Sequence, residues 1–331
     1  MKRMYSLIAI LVVFLGVAFF NESGGMSLFK PSTPTVGVLQ LMHHPALDQI
    51  YHGFRHQLAK EGYHNGKNIK VEYQNAQGDQ SNLKTMAGKL ANDHPKVLVG
   101  ITTPASQALA NTDHKTPIVM GAVSDPRTAG LVKNLKHPGG HITGVSDLAP
   151  VAEQLATVKE FMPHLKTLGI IYTSSDASAN ADRKVWVQLC KKEHIRLKQY
   201  SISNSNDLNQ VSQQMMTQVD AVVVPTDNVI ASAMQTLVKN ANAAKKPVFP
   251  SADTMVKDGG LATRSLSQYK LGEEAGKLTV DIIKGQKPGN IAVRHLTHGE
   301  PVVNLKEARK LGIHVPHKFL RDAQQNGEVI K

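Results

Sequence analysis

The chain has 331 residues, 41% of them hydrophobic and 5% aromatic, which is ordinary for a globular protein and long enough for two packed lobes. Its formal charge of +12 is spread along the whole length. There is no helix-turn-helix signature, no zinc-finger spacing and no basic run interleaved with aromatics, so a solvated basic surface is expected and no nucleic-acid partner. The single cysteine, Cys190, excludes a disulfide framework and a cysteine metal cluster, and no cofactor is expected.

Lys2 and Arg3 precede an unbroken apolar stretch, Met4–Phe20, which is the pattern of a secretion signal or membrane anchor. No small-residue cleavage site stands out, and no cysteine follows for lipid attachment. Residues 1–20 are therefore expected to be an uncleaved anchor that places the body outside the cell membrane. Residues 21–34 carry Gly, Ser, Pro and Lys and are expected to form a flexible tether.

Val36–Leu41 is a short apolar strand, and Pro45 after it suits the first turn of a helix. Leu47, Ile50, Phe54 and Leu58 then recur at helical spacing, and Gly62 ends the run. Ile69, Val71 and Tyr73 alternate as in a strand; Ser81 is a candidate cap for a helix carrying Leu83, Met86 and Leu90. Val97–Ile101 is a strand that empties into the polar turn Thr102–Ser106 at a helix start. Further strands are expected at Pro117–Ala122 and Ile142–Val145.

The pattern then restarts. Leu168–Tyr172 is a strand, a helix follows around Val185–Lys192, and Ile195–Ser201 is the next strand. Ala221–Gln235 repeats the strand–turn–helix layout of Val97–Gln107, with Thr226, Asp227 and Asn228 filling the turn. Pro247–Pro250 matches Pro117–Met120. Leu261–Ser267 leads to the helix Leu271–Lys284, which returns to the first lobe. Alternating strands and helices predict an α/β fold with mostly parallel sheets covered on both faces. The expected division is lobe 1 at residues 35–147 and about 268–288, and lobe 2 at residues 148–267 and about 289–331.

Ligands of open α/β sheets bind beyond the carboxyl ends of the strands. There the sequence places Gln40–His44, Thr102–Ser106, Ser124–Asp125, Thr173–Ser175, Thr226–Asn228 and Ser251–Asp253. Hydroxyls, amides and helix-start N–H groups suit a carboxylate, and Asp125 or Asp227 an ammonium. The bland alternative is that these residues only cap the following helices. Enzyme signatures are absent: there is no Gly-x-Gly-x-x-Gly after a strand, no phosphate loop and no Gly-x-Ser-x-Gly. Fifteen histidines invite a metal hypothesis, but most are scattered in loops, and no metal site is expected.

The segments HPALDQIYHGFRHQLAKEGY, TTPASQALAN, SDPRTAGLVKNLKHPGGHITGVSD, VPTDNVIASAM and MVKDGGLAT resemble the substrate-binding proteins of ABC importers, in the branch for tryptophan or tryptophan/tyrosine uptake. The resemblance runs from about Thr35 to Pro288. It implies a type I periplasmic-binding fold, with two Rossmann-like lobes, three crossover segments and a ligand closed between them. It also implies no enzymatic activity and delivery to a permease with a cytoplasmic ATPase. Residues matching the family pattern are His44–Pro45, Thr103–Pro104, Asp125–Pro126, Ser174–Ser175 and Thr226–Asp227–Asn228. Where relatives commonly have an acidic residue near the end of the strand Leu261–Ser267, this chain has Ser267, with Arg264 nearby.

The expected ligand set is thus Gln40, His44, Thr103, Pro104, Ser106, Ser124, Asp125, Ser174, Ser175, Asp227, Asn228 and Ser251. Thr103, Ser106 and the lobe-2 hydroxyls would hold the carboxylate of an aromatic amino acid, with tryptophan foremost, and Asp125 or Asp227 its ammonium. Asp227→Ala is expected to weaken binding and leave the fold intact. A monomer is expected. The alternatives are another small ligand on the same fold, such as a different amino acid, a nucleoside or a sugar, or a sensory surface protein without a transporter.

Overall fold

A computed structural model describes residues 10–14 and 33–331. Ile10–Phe14 are helical. No helix among the described residues is long and apolar enough to cross a membrane. Nearly all of the expected anchor and tether lies outside the described residues.

From Thr35 the chain alternates strands and helices. The first half runs β1 (Thr35–Gln40), α1 (Pro45–Lys60), β2 (Lys70–Asn75), α2 (Gln80–Asn92), β3 (Val97–Ile101), α3 (Thr103–Thr112), β4 (Ile118–Ala122) and β5 (Ile142–Ser146). The second half opens with α4 (Val151–Phe161), β6 (Thr167–Thr173), α5 (Ala177–Lys192), β7 (Arg196–Ile202), α6 (Leu208–Met216) and β8 (Ala221–Val224). It continues with α7 (Asn228–Ser232), α8 (Met234–Ala243), β9 (Val248–Pro250), α9 (Asp253–Lys257) and β10 (Ala262–Ser265). The tail holds α10 (Gln268–Ile283), β11 (Arg294–His295), β12 (Glu300–Asn304), α11 (Leu305–Leu311), α12 (His317–Asn326) and β13 (Glu328–Ile330).

Local chemistry explains the main boundaries. Pro45 opens α1 and holds His44 extended at φ −160°. Asp79, not Ser81, caps α2 by accepting from the Asn82 N–H at 2.8 Å. Helix α4 escaped the sequence reading, although Val151, Leu155, Val158 and Phe161 bury one face at helical spacing.

The strands form a six-stranded parallel sheet in the order β11-β5-β4-β3-β1-β2 and a four-stranded parallel sheet in the order β7-β6-β8-β9. A smaller sheet, β10-β12-β13, adjoins the second through the Leu261 N–H, which donates to Val248 O. One apolar core covers the first sheet, from Val36 to Val145 with Leu271–Ile282 of α10. Two cores sandwich the second sheet: Ile170 and Val223 point to one, Ile171 and Val222 to the other, as the two-residue strand period requires.

The chain thus passes between lobes three times, at residues 147–150, 266–267 and 296–299. The last passage lies later than the expected residue 289. Arg294 and His295 pair with Val145 and Ser146, and Gly139 donates to Gly289 O, which holds this segment on the first sheet.

Helix α10 leaves the second crossover and packs directly on α1. The two helices approach at Gly53, Gly272 and Gly276; a Cβ on Gly272 would stand 2.0 Å from Ile50 O. Alanine ordinarily favours a helix over glycine, but here the obstacle is backbone, which cannot swing aside. Gly272→Ala is expected to lower the unfolding free energy by about 1–3 kcal/mol in urea titrations. An unchanged or raised midpoint would show that the two helices can separate freely.

Candidate functional site

The carboxyl ends of the two sheets face each other across a cavity. Lobe 1 contributes His44, Ala46 and Leu47 after β1, Thr102 after β3, Ala122 at the end of β4 and Asp147 after β5. Lobe 2 contributes Ser178 in the first turn of α5, Thr226, Asp227 and Asn228 after β8, Ala231 in α7, and Ser251 and Ala252 after β9. The crossovers supply Ala149, Pro150 and Leu266, and Gln268 opens α10 beside them. The wall is therefore apolar along Ala46, Leu47, Ala122, Pro150 and Leu266, and polar at the strand ends.

The turn after β3 is tightly built. Ser106 closes over Gly100 so closely that a Cβ there would lie 2.6 Å from Ser106, whose hydroxyl donates to Gly100 O at 3.0 Å. Thr102 caps α3 at φ +102°, a conformation that β-branched residues rarely adopt. Such strain persists only where the surroundings impose it, and Thr102 lines the cavity.

Two buried hydrogen bonds cross between lobes. His44 Nε2 lies 3.1 Å from Asn228 Oδ1, and the Thr103 and Ser178 hydroxyls lie 3.2 Å apart. Asn228 Nδ2 donates to Asp176 at 3.3 Å, so its Oδ1 is the acceptor and His44 carries its proton on Nε2. Burial lowers the His44 pKa and keeps the ring neutral at pH 7, and its Nδ1 is buried without a partner.

Four carboxylates gather here without a cation among the cavity residues. Asp147 and Asp227 line the cavity. Asp176 caps α5 behind Asn228, and Asp182 accepts the Thr226 N–H at 2.9 Å. Burial pushes the Asp147 and Asp227 carboxyls up to about 6 and Asp182 to about 7. Charge from Asp176 adds to all three, and Asp176 is itself raised by burial.

Of the expected ligand residues, His44, Asp227, Asn228 and Ser251 line the cavity. Thr103 borders it through Ser178. The others are placed elsewhere by their own bonds. Gln40 donates to Met42 O and Asp48, and Ser106 is spent on Gly100. Ser124 stands one step back, donating to Asp147 at 2.9 Å. Asp125 folds onto Arg127 and Thr128 and lines a separate surface hollow. Ser174 and Ser175 are exposed; Ser175 and Pro104 line an outer groove. Arg264 pairs with Asp322 at 2.5 Å, and Ser267 caps α10.

Asp147 and Ser178 went unread. Asp147 sits in a crossover rather than a strand–turn–helix unit, and Ser178 lies four residues beyond Ser174. No metal-holding group of three or more His, Cys, Asp or Glu occurs among the described residues.

Asp227 does structural work that its position in the turn did not reveal. It accepts the Thr173 N–H at 2.5 Å, the Thr173 hydroxyl at 2.9 Å and the Ile230 N–H at 3.0 Å, tying β6 to the turn after β8. Asp227→Ala would orphan two buried backbone donors, so the expectation of an intact fold is replaced. The variant should lose about 1–3 kcal/mol of stability in denaturant titration. Wild-type stability would show that water replaces the carboxylate.

The raised carboxyls also set a pH dependence. Their folded pKa values exceed the ordinary aspartate value of about 3.9, so the folded chain holds these protons more tightly. Their stabilising contribution is full below about pH 4 and lost as pH rises through 6–7. Asp182→Asn keeps an acceptor for the Thr226 N–H and removes the charge. It should raise the ligand-free Tm at pH 7.5 and flatten its fall between pH 5 and 7.5. An unaltered slope would show that Asp182 does not titrate there.

The profile of the ABC transporter substrate binding protein family matches residues 35–326. A tyrosine-binding protein of Clostridioides difficile is 36% identical over 269 residues, 81% of this chain and 78% of that protein. A Streptococcus pneumonia ABC domain in complex with L-Trp aligns at 38% identity with a TM-score of 0.87, covering 90% of this chain and all of that one. A ligand-free, open substrate-binding protein from Clostridium difficile aligns at 33% identity over 90% of this chain and 99% of that one, with a TM-score of only 0.71. More distant structures, 13% identical with bound myo-inositol or 11% identical and named as leucine-binding, share the fold alone. With two parallel-sheet lobes, a type I periplasmic-binding-protein fold and a match along nearly the whole described body, the chain belongs to the ABC transporter substrate-binding protein family, whose members bind solutes and are not enzymes.

Proposed function

We propose that the protein captures an aromatic amino acid, L-tryptophan foremost, outside the cell membrane and hands it to an ABC permease driven by a cytoplasmic ATPase. The observation that carries this reading is the closed cavity itself. It joins an apolar wall to carboxylates that have no cation among the residues around them. A zwitterion with a large apolar side chain supplies what both halves lack: an ammonium for the carboxylates and a dry surface for the wall. The similarity to an L-Trp complex and to a tyrosine-binding protein favours an aromatic side chain.

In this reading Asp147 takes the ammonium. Its carboxylate lines the cavity and accepts from the Ser124 hydroxyl at 2.9 Å. The hydroxyls of Thr102, Ser178 and Ser251 face the carboxylate. Lys2, Arg3 and the apolar Met4–Phe20 support a peptide tether on the outer membrane face, with the two-lobed body acting as a monomer.

Titration calorimetry on protein unfolded and refolded to strip carried-over ligand tests the proposal with tryptophan, tyrosine, phenylalanine and leucine. Micromolar or tighter binding of tryptophan, with leucine at least about a hundredfold weaker, is expected. Silence from all four would overturn the amino-acid assignment. Equal binding of leucine would replace the aromatic class with a broader apolar one.

A further inference from the structure

We propose that the cleft anchors its ligand by the amine rather than the carboxylate, and that arylethylamines, aromatic amino acids without their carboxylate, are a second ligand class. The inference rests on the reading of the cavity as an aromatic amino-acid site and adds an order of importance to the ligand's two charges.

The first observation is which polar groups the protein leaves unanswered. His44 is 6% exposed and lines the cavity, and its Nδ1 has no partner. Since Nε2 donates to Asn228 Oδ1, the unanswered nitrogen carries a lone pair and is an acceptor. Asp147 also lines the cavity, and the side-chain donor it has is the neutral Ser124 hydroxyl. Both groups call for N–H bonds from a ligand, and an ammonium brings three.

The second observation is the set of charges around the space. Neither Lys nor Arg lines it, while Asp147 and Asp227 do, with Asp176 and Asp182 immediately behind the Asn228 and Thr226 turn. The cavity offers a ligand carboxylate neutral donors and no cation, and one hydroxyl pair, Thr103 and Ser178, is already shared between the lobes. A ligand carboxylate also lies beside the carboxyls of Asp147 and Asp227, whose charge it would not relieve. Hydrogen bonds to charged groups are the stronger ones, and here they lie on the amine side. Deleting the ligand's carboxylate removes neutral contacts and a repulsion; deleting its amine leaves buried acceptors unpaired.

Calorimetry on the full-length protein with L-tryptophan, tryptamine and indole-3-propionate decides this. The expected result is tryptamine within about tenfold of tryptophan and indole-3-propionate at least about a hundredfold weaker. Asp147→Asn should weaken tryptamine at least about tenfold while its thermal unfolding stays cooperative. Tryptophan binding with tryptamine silent, or with indole-3-propionate the better of the two analogues, would overturn the inference and leave the proposed function standing. Tryptamine binding with all the aromatic amino acids silent would uphold amine anchoring and overturn the proposed function instead.

Discussion

The cleft is organised by negative charge that the protein does not neutralise. Asp147, Asp176, Asp182 and Asp227 stand at or just behind the carboxyl ends of two sheets, each raised by burial. A folded chain tolerates such a cluster only if other bonds hold it in place, since a buried charge without a partner is costly. Here backbone donors do so. The Thr173, Thr226 and Ile230 N–H groups and the first turn of α5 all point at these carboxylates. The positive ends of helices and turns thus stand in for lysine and arginine, which leaves room for a cation to arrive with the ligand.

The same residues that shape the site also close the fold. Asp227 caps α7 and ties down β6, and Asp176 caps α5 and holds Asn228. Asn228 then presents its oxygen to His44 of the other lobe. A chain of bonds therefore runs from a helix cap in lobe 2, through a cavity-lining amide, to the loop that opens α1 in lobe 1. Capping and binding are one network, so a substitution that looks like the loss of a ligand contact is also the loss of a turn.

The fold was legible because its signals are local. Pro45 at a helix start, apolar runs such as Val97–Ile101 and the repeated turn at Thr226–Asn228 each state a strand end or a helix beginning without reference to the rest of the chain. The site was legible only in outline, because a residue's address at a strand end does not say where its side chain turns. Asp125 satisfies Thr128 and Arg127 beside it, and Ser106 satisfies Gly100 beneath it, both by short-range bonds invisible in spacing. Asp147 is the converse case. It stands in a crossover with no periodicity around it, and it reaches the cavity because the chain must pass between the lobes at that point.

This placement bears on how ligand and closure are linked. Asp147 lies in the first crossover, and Gln268, which opens α10, follows the second; both line the cavity. Among the described residues the crossovers are the covalent connections between the lobes, and any opening of the cleft would bend them. The buried closure contacts, His44 with Asn228 and Thr103 with Ser178, are neutral, and an exposed ion pair, Lys270 with Glu300, also joins the lobes. By themselves the two buried contacts replace bonds that water would make in the open state, and their net contribution is about 0.5–1.5 kcal/mol each. The closed state without ligand also draws the aspartates of lobe 2 toward Asp147. A cationic group lying between them removes that repulsion and favours closure. A ligand without one fills the same volume and leaves the repulsion in place, so it shifts the equilibrium less for the same surface buried.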